Sequence, residues 1–462
     1  MSEPPRYRFG PRDRRGLLAG ARAGQVAVVW GALLAALGLL RALGGTAGVA
    51  SAAGLTLLAL AAVAWPVRGR SVEEWAPLAA RYLVALLLGR RRAVIEGRPP
   101  ARLPRPPGPL APLAVAEVEG PGVRGAFGAL HDRRSGTWTA VLSLGSSSFA
   151  LLGEEERAQR VAAWSGVLAA AARSGGPVHR LQWIERTVPD RGEALARHLE
   201  QEGAPGGPAM RSYQELLEAE ASGFLRHELY LACTLRGSSS AGGPAGLAEE
   251  VARLDRCCRD AAVPVEGVLS RTGLQTLLRR SFDAFPTAAP AAWAWPVAVE
   301  VSWSRVRTDG TWHATYWIAE WPRAEVASDF LLPLLVGCDE RRSVSVVMAA
   351  VPPLRAVRTA EHARTSAVAD AELRRRHGFA VSARRSREHE AVLQREAELA
   401  DGHAFFRFSG YVTVTVADPD RLEAACARVE QAAALSRLEL RRLYGAQGDS
   451  LLLTLPLGRG CG

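Results

Sequence analysis

Two uncharged stretches near the start constrain this chain more than any other feature. Between Arg22 and Arg41 lie about 18 residues without a charge, including VAVVWGALLAALGLL. After Arg41 a second uncharged run of about 26 residues reaches Val67, including AGLTLLALAAVAWPV. At 1.5 Å of rise per residue, either run as a helix crosses a hydrocarbon core about 30 Å thick. The short, glycine-rich RALGGTAG between them predicts a transmembrane helical hairpin over residues 23–67. A signal peptide would also supply one apolar run, but here six arginines precede the first run and the second follows at once.

Arginine placement sets the expected orientation. Arg6, Arg8, Arg12, Arg14, Arg15 and Arg22 form a basic arm, residues 1–22. Arg68, Arg70, Arg81 and Arg90–Arg92 follow the second run, and the tip has only Arg41. Positive charge stays inside, so both termini and nearly all the chain are expected in the cytoplasm, with the arginines near anionic inner-leaflet lipids. Residues 68–96 read as a juxtamembrane helix, with Glu73-Glu74 early and arginines at its end. Its many apolar residues suit a membrane face or the hairpin. The proline-rich GRPPARLPRPPGPLAP, residues 97–112, reads as a linker.

The body that follows is α+β and writes one hairpin twice. SGTWTAVLSL (Ser135–Leu144) is echoed by DGTWHATYWIAEWPR (Asp309–Arg323), each an alternating strand after a turn signal. The succession hairpin, helix, strand, long helix, strand, helix, strand fits both residues 113–284 and residues 297–462, with 285–296 as a joint. Two similar α+β units are therefore expected. The apolar run DSLLLTLPLG near the end reads as a strand, either unpaired and sticky or internal to the second unit's sheet.

Chemistry is sparse. All 57 basic residues are arginine, so there is no P-loop lysine, no Schiff-base lysine and no kinase-type ATP clamp. Lysine and asparagine are both missing, a composition typical of a GC-rich genome. The six cysteines contain no C-x-x-C, and His389-Glu390 lacks the second histidine of a zincin. LGSSSFALLG has neither the spacing nor the context of a nucleophile elbow. The arginines Arg374–Arg376, Arg384, Arg385 and Arg387 read as a solvated helix face, with anionic lipid or nucleic acid as the functional alternative. No catalytic residue, metal ligand or cofactor is expected, and the chain reads as a non-enzyme.

Two stretches carry a resemblance. The hairpin with VEEWAP and RYLVALLLGRRR resembles the small PrgI-type inner-membrane subunits of conjugative type IV secretion. From about Val297 the body resembles the non-motor N-terminal half of VirB/TraC/TraE-type conjugation ATPases. The matching features are YWIAEWPR, FLLPLL, REAELADGHAFF, YVTVTVADPDRLEAACARVE and LLLTLPLGRG. The resemblance implies a split machine typical of actinobacterial conjugative elements. In it this chain is an inner-membrane scaffold, part of an oligomer with other membrane subunits, that docks a separately encoded P-loop ATPase. It implies docking through Trp321, Pro322 and Arg323 or through Leu455, Pro456 and Leu457. The EccE-type membrane component of type VII secretion shares the same plan, and a membrane-anchored enzyme without a recognisable motif is the alternative of another class.

Overall fold

Both Gly-Thr-Trp sequences open a long strand after a tight turn. The computed structural model describes residues 6–7, 9, 23–64, 72–94, 110–123, 125–145, 149–173, 176–190, 225–237, 243–283, 293–376 and 404–460, with single residues between 207 and 215. Strands β3 (Phe127–Asp132) and β4 (Thr137–Leu144) flank a turn in which Gly136 has φ +64°. Asp132 Oδ1 there accepts the amides of Arg134 and Ser135. Strands β9 (Val306–Thr308) and β10 (Thr311–Glu320) flank Asp309-Gly310, with Asp309 at φ +50°. From Thr137 and from Thr311, burial follows the same order over eight residues.

The remaining strands are β1 (Arg92–Val94), β2 (Leu113–Val118), β5 (Val178–Pro189), β6 (Leu225–Arg236), β7 (Val265–Val268) and β8 (Ala298–Val301). They continue with β11 (Arg342–Ala350), β12 (Phe406–Val416) and β13 (Glu439–Arg442). All join one antiparallel sheet in the order β1-β8-β9-β10-β12-β11-β5-β6-β4-β3-β2, with β7 beside β4 and β13 beside β10. The order reads alike from either side of the β11–β5 pair. At that seam Val344 faces Glu185, Ser345 faces Ile184 and Val346 faces Trp183. The matching extends to single hydrogen bonds. Where β4 passes from β3 to β7, Leu269 N donates to Val141 O at 2.9 Å; where β10 passes from β9 to β13, Leu443 N donates to Thr315 O at 3.0 Å.

Helices cover both faces. On one face α4 (Glu154–Ala171) and α5 (Pro244–Asp260) close a core with Leu142, Leu181, Leu231 and Leu235. On the same face α7 (Leu332–Leu335) and α9 (Leu422–Leu435) close a second core with Tyr316, Val412 and Val414. On the other face α6 (Arg271–Phe282), Trp293, Trp295 and the chain's last turns share a single core with Leu113, Val141, Ala232 and Val306. Each such fully buried apolar side chain contributes about 1.5–3 kcal/mol. Helix α8 (Pro353–Arg376) leaves the end of β11. Residues 377–403, which include Arg384, Arg385 and Arg387, lie outside the described residues.

At the N-terminus α1 (Ala23–Leu43) and α2 (Gly45–Ala64) pack on each other around Gly44 and Gly45, at φ +59° and +54°. Val26–Leu43 is long and apolar enough to cross a membrane, with mean hydropathy 2.1; Gly45–Ala61 is apolar but shorter. Trp30, Leu34, Leu57 and Leu58 are all more than half exposed. Helix α3 (Val72–Leu87) follows, and Gly89 at φ +65° turns the chain into β1.

Three expectations change. The juxtamembrane segment is not helical to residue 96: Arg92–Val94 is the edge strand β1, paired with β8 and held by the Arg92–Glu300 ion pair at 2.8 Å. The helix expected after the second hairpin is a single turn, Leu332–Leu335. The run DSLLLTLPLG is not a strand. It forms α10 (Gln447–Leu451) and a 3₁₀ turn over Leu452–Thr454 before extending, because its polar backbone is served from the sheet by side chains.

Candidate functional site

Trp321, Pro322 and Arg323 follow directly on β10. Proline has no amide proton to continue a ladder, and the chain leaves the sheet there. The three side chains then part. Pro322 is buried, whereas Arg323 is exposed and pairs with Glu320. Trp321 enters an aromatic cluster whose fourth member comes from the N-terminal arm. Its ring lies 5.2 Å from Phe408 and 5.2 Å from Phe9, and Phe9 lies 5.3 Å from Phe330. Tyr7 fastens the arm beside the cluster through two backbone bonds with Val326, at 2.9 and 3.0 Å. Gly410 floors the cluster; a Cβ there would come within 2.8 Å of the Trp321 ring and 2.5 Å of Ile318. Sequence reasoning found Trp321 but missed Phe9, Phe330 and Phe408. The Tyr7/Phe9 alternation in RYRF was the available signal.

Leu455, Pro456 and Leu457 present no surface. Leu455 and Leu457 are 2% and 4% exposed in the core shared by the two halves, and Pro456 is buried beside them. The segment is locked by Gln182, itself fully buried. Its amide NH2 lies 2.8 Å from Ser345 Oγ, 3.1 Å from Leu453 O and 2.9 Å from Leu455 O, and its Oε1 accepts Gly458 N at 2.8 Å. Arg180 donates to Gly458 O at 2.8 Å, and Arg459 pairs with Asp132 at 2.8 Å. As an exposed docking edge this run is ruled out by its own burial. The topology arginines Arg12, Arg14, Arg15, Arg22, Arg68 and Arg70 lie outside the described residues.

Helix α3 also sits on the body. Trp75 stacks on Trp303 at 5.8 Å, Tyr82 meets Trp303 edge-on at 5.0 Å, Arg81 pairs with Asp449, and Arg91 donates to Val301 O. The same helix leaves Leu83, Val84, Leu86 and Leu87 exposed.

Two polar clusters lie near the seam. On β5 and β6, Glu185 Oε1 accepts from Thr187 Oγ1 and sits 2.7 Å from His227 Nδ1, while its Oε2 has no partner. A carboxylate orienting an imidazole is half of a proton-transfer unit. Among the described residues, Thr187 is the only hydroxyl or thiol within reach of His227. On the facing side, Glu228 takes Arg226 at 2.6 Å, Tyr230 at 3.2 Å and Arg186 at 3.3 Å. Burial and then the neighbouring Arg186 guanidinium push Arg341 down to about 9. Among the described residues no group of three metal-binding side chains converges, and five cysteines are free thiols. Burial pushes the Cys233 and Cys258 thiols up to about 12, which makes them inert. Comparison with known proteins leaves the chain without an assigned family: no family model matches it, and no curated protein does.

Proposed function

We propose that this chain is a two-span membrane scaffold of a conjugation- or secretion-type machine that docks a separately encoded P-loop ATPase. The observation that carries the membrane part is where the chain enters and leaves the apolar pair. Tyr7 and Phe9 before α1, and α3 with β1 after α2, all rest on the same body. A chain tied to one body on both sides of a membrane segment crosses an even number of times. The positive-inside asymmetry then puts that body in the cytoplasm. Reporter fusions after Gly45 and after Arg92 are expected on opposite sides of the membrane; matching sides would sink the two-span arrangement.

The body is two copies of one α+β unit joined at β5 and β11. Supporting this are the strand order that reads alike from the seam, the shared burial order of β4 and β10, and the recurring Leu269–Val141 and Leu443–Thr315 bonds. With Leu455–Leu457 buried, the ATPase docks at the Trp321 cluster, where Phe408, 5.2 Å from Trp321, is still 41% exposed. The expected result is that Trp321→Ala with Arg323→Glu abolishes co-purification of the ATPase encoded nearby, while membrane insertion persists. Undiminished capture would place the motor elsewhere.

A further inference from the structure

At the end of the seam opposite the aromatic cluster, the sheet gathers arginines faster than carboxylates. Arg186 on β5 lies across from Glu228 on β6 and across from Ser343 on β11. Side chains alternate along a strand, so Arg341, two residues before Ser343, projects to the same face. Arg341 donates to Arg280 O at 2.8 Å, at the carbonyl end of α6. Arg226 adds a third guanidinium through Glu228, and the Arg280 guanidinium lies close enough to act on Arg341. Glu228 is thus shared by Arg186 and Arg226, with Asp190 near Arg226; Glu228 and Asp283, the latter paired with Arg279, also lie close enough to act on Arg341.

The inner pair is desolvated. Arg186 is 3% exposed, its bond to Glu228 is long at 3.3 Å, and its Nε–H is buried without an acceptor. Burial of a guanidinium with an unmet donor is costly unless a counter-charge completes it. Burial first, and then the nearby Arg186 guanidinium, disfavour the charge on Arg341. Arg226 and Arg280, more open to solvent, form the outer rim.

We propose that Arg341 and Arg186, rimmed by Arg226 and Arg280, form a binding site for a phosphate-type oxyanion, carried by a soluble phosphate compound or by a phospholipid headgroup. Guanidinium is the group suited to it: its planar fork of donors matches the oxygens of a tetrahedral anion. The site lies where both halves of the sheet and α6 meet, so an anion bound there joins β5, β6 and the start of β11. It requires no membrane span and no ATPase, so it stands apart from the proposed scaffold role.

The test uses the full chain in uncharged detergent and in phosphatidylcholine nanodiscs, in phosphate-free buffer. Inorganic phosphate, pyrophosphate and short-chain phosphatidylglycerol are titrated separately, reading heat and the thermal midpoint. At least one of the three is expected to bind saturably and raise the midpoint; which one does so identifies the soluble or the lipid source. Arg341→Gln is expected to weaken that binding about tenfold or more, whereas Arg256→Gln, an exposed control on α5 at the other face of the sheet, leaves it unchanged. In phosphate-free buffer Arg341→Gln is expected to keep the midpoint, because it removes a half-buried charge that Arg186 opposes while the glutamine amide can still donate to Arg280 O. A structural arginine would instead lower it. The proposal is overturned if none of the three ligands binds, if Arg341→Gln binds as well as the unaltered chain, or if Arg341→Gln lowers the ligand-free midpoint.

Discussion

Gln182 serves several groups from a fully buried side chain, and Gln447 does the same beside β10. The Gln447 amide accepts Thr315 N at 2.8 Å and donates to Thr315 O at 3.1 Å, filling the gap where β9 stops and β13 has not begun. Removing one partner of such a set leaves buried donors and acceptors unmet at about 1–3 kcal/mol each. Gln182→Leu is therefore expected to cost about 2–4 kcal/mol in denaturant unfolding. His313 shows the opposite economy. It is fully buried among Thr308, Thr311 and Thr415, and burial, with Arg341 second, pushes it down to about 3. Below about pH 6.5 the unfolded chain takes up a proton at this histidine and the folded chain does not. Its stability contribution is complete above that pH and drains as pH falls toward 3, by up to about 1.4 kcal/mol per unit. His179, pushed down to about 4 by burial and then by Arg180 and Arg236, acts in the same direction. Unfolding free energies measured between pH 7.5 and pH 5 should fall steadily, and His313→Gln should flatten the slope.

Among the elements, those with a two-residue period and firm punctuation were legible before any coordinates. β4 and β10 announce themselves by Gly-Thr-Trp after a turn, β5, β11 and β12 by runs of β-branched and aromatic residues, and β6 by apolar residues at every second position from Leu229 to Leu235. The two amphipathic helices α5 and α6 carry the corresponding signal at helical period. What stayed hidden depended on distant partners. β1 is three residues beside an arginine run, and only its pairing with Ala298–Glu300 makes it a strand. The last turns look like a strand in isolation, yet their carbonyls are met by Gln182 and their leucines by α6 and Trp293. The aromatic cluster joins Phe9 to Trp321 and Phe408, a meeting that no local pattern encodes. Phe9→Ala is expected to loosen the arm: protease cleavage ahead of α1 should accelerate severalfold while the thermal midpoint of the body moves little, since Phe9 packs on the aromatic cluster and lies outside the three main cores.

For the whole molecule, the shared core on one face of the sheet makes the two halves a single cooperative unit. Leu451, Leu452, Leu455 and Leu457 pack with Leu274, Leu278 and Phe282 on one side and Val306 on the other. Truncating one buried leucine to alanine costs about 2–5 kcal/mol, and a domain of this kind has only about 5–15 kcal/mol in hand. Deleting Leu455–Gly462 is therefore expected to leave the body protease-sensitive and aggregated, a change readable by limited proteolysis in membranes. A body that stays intact would show that the tail is dispensable to the core. The paired attachments, arm ahead of α1 and α3 with β1 behind α2, also fix the body's stance. A load hung from one flexible hinge swings freely; one held at two separate points on its surface transmits tilt and torque. With the apolar pair in a bilayer, a push on the sheet would be felt by the lipid-embedded helices as rotation, so the anchor would also act as a lever.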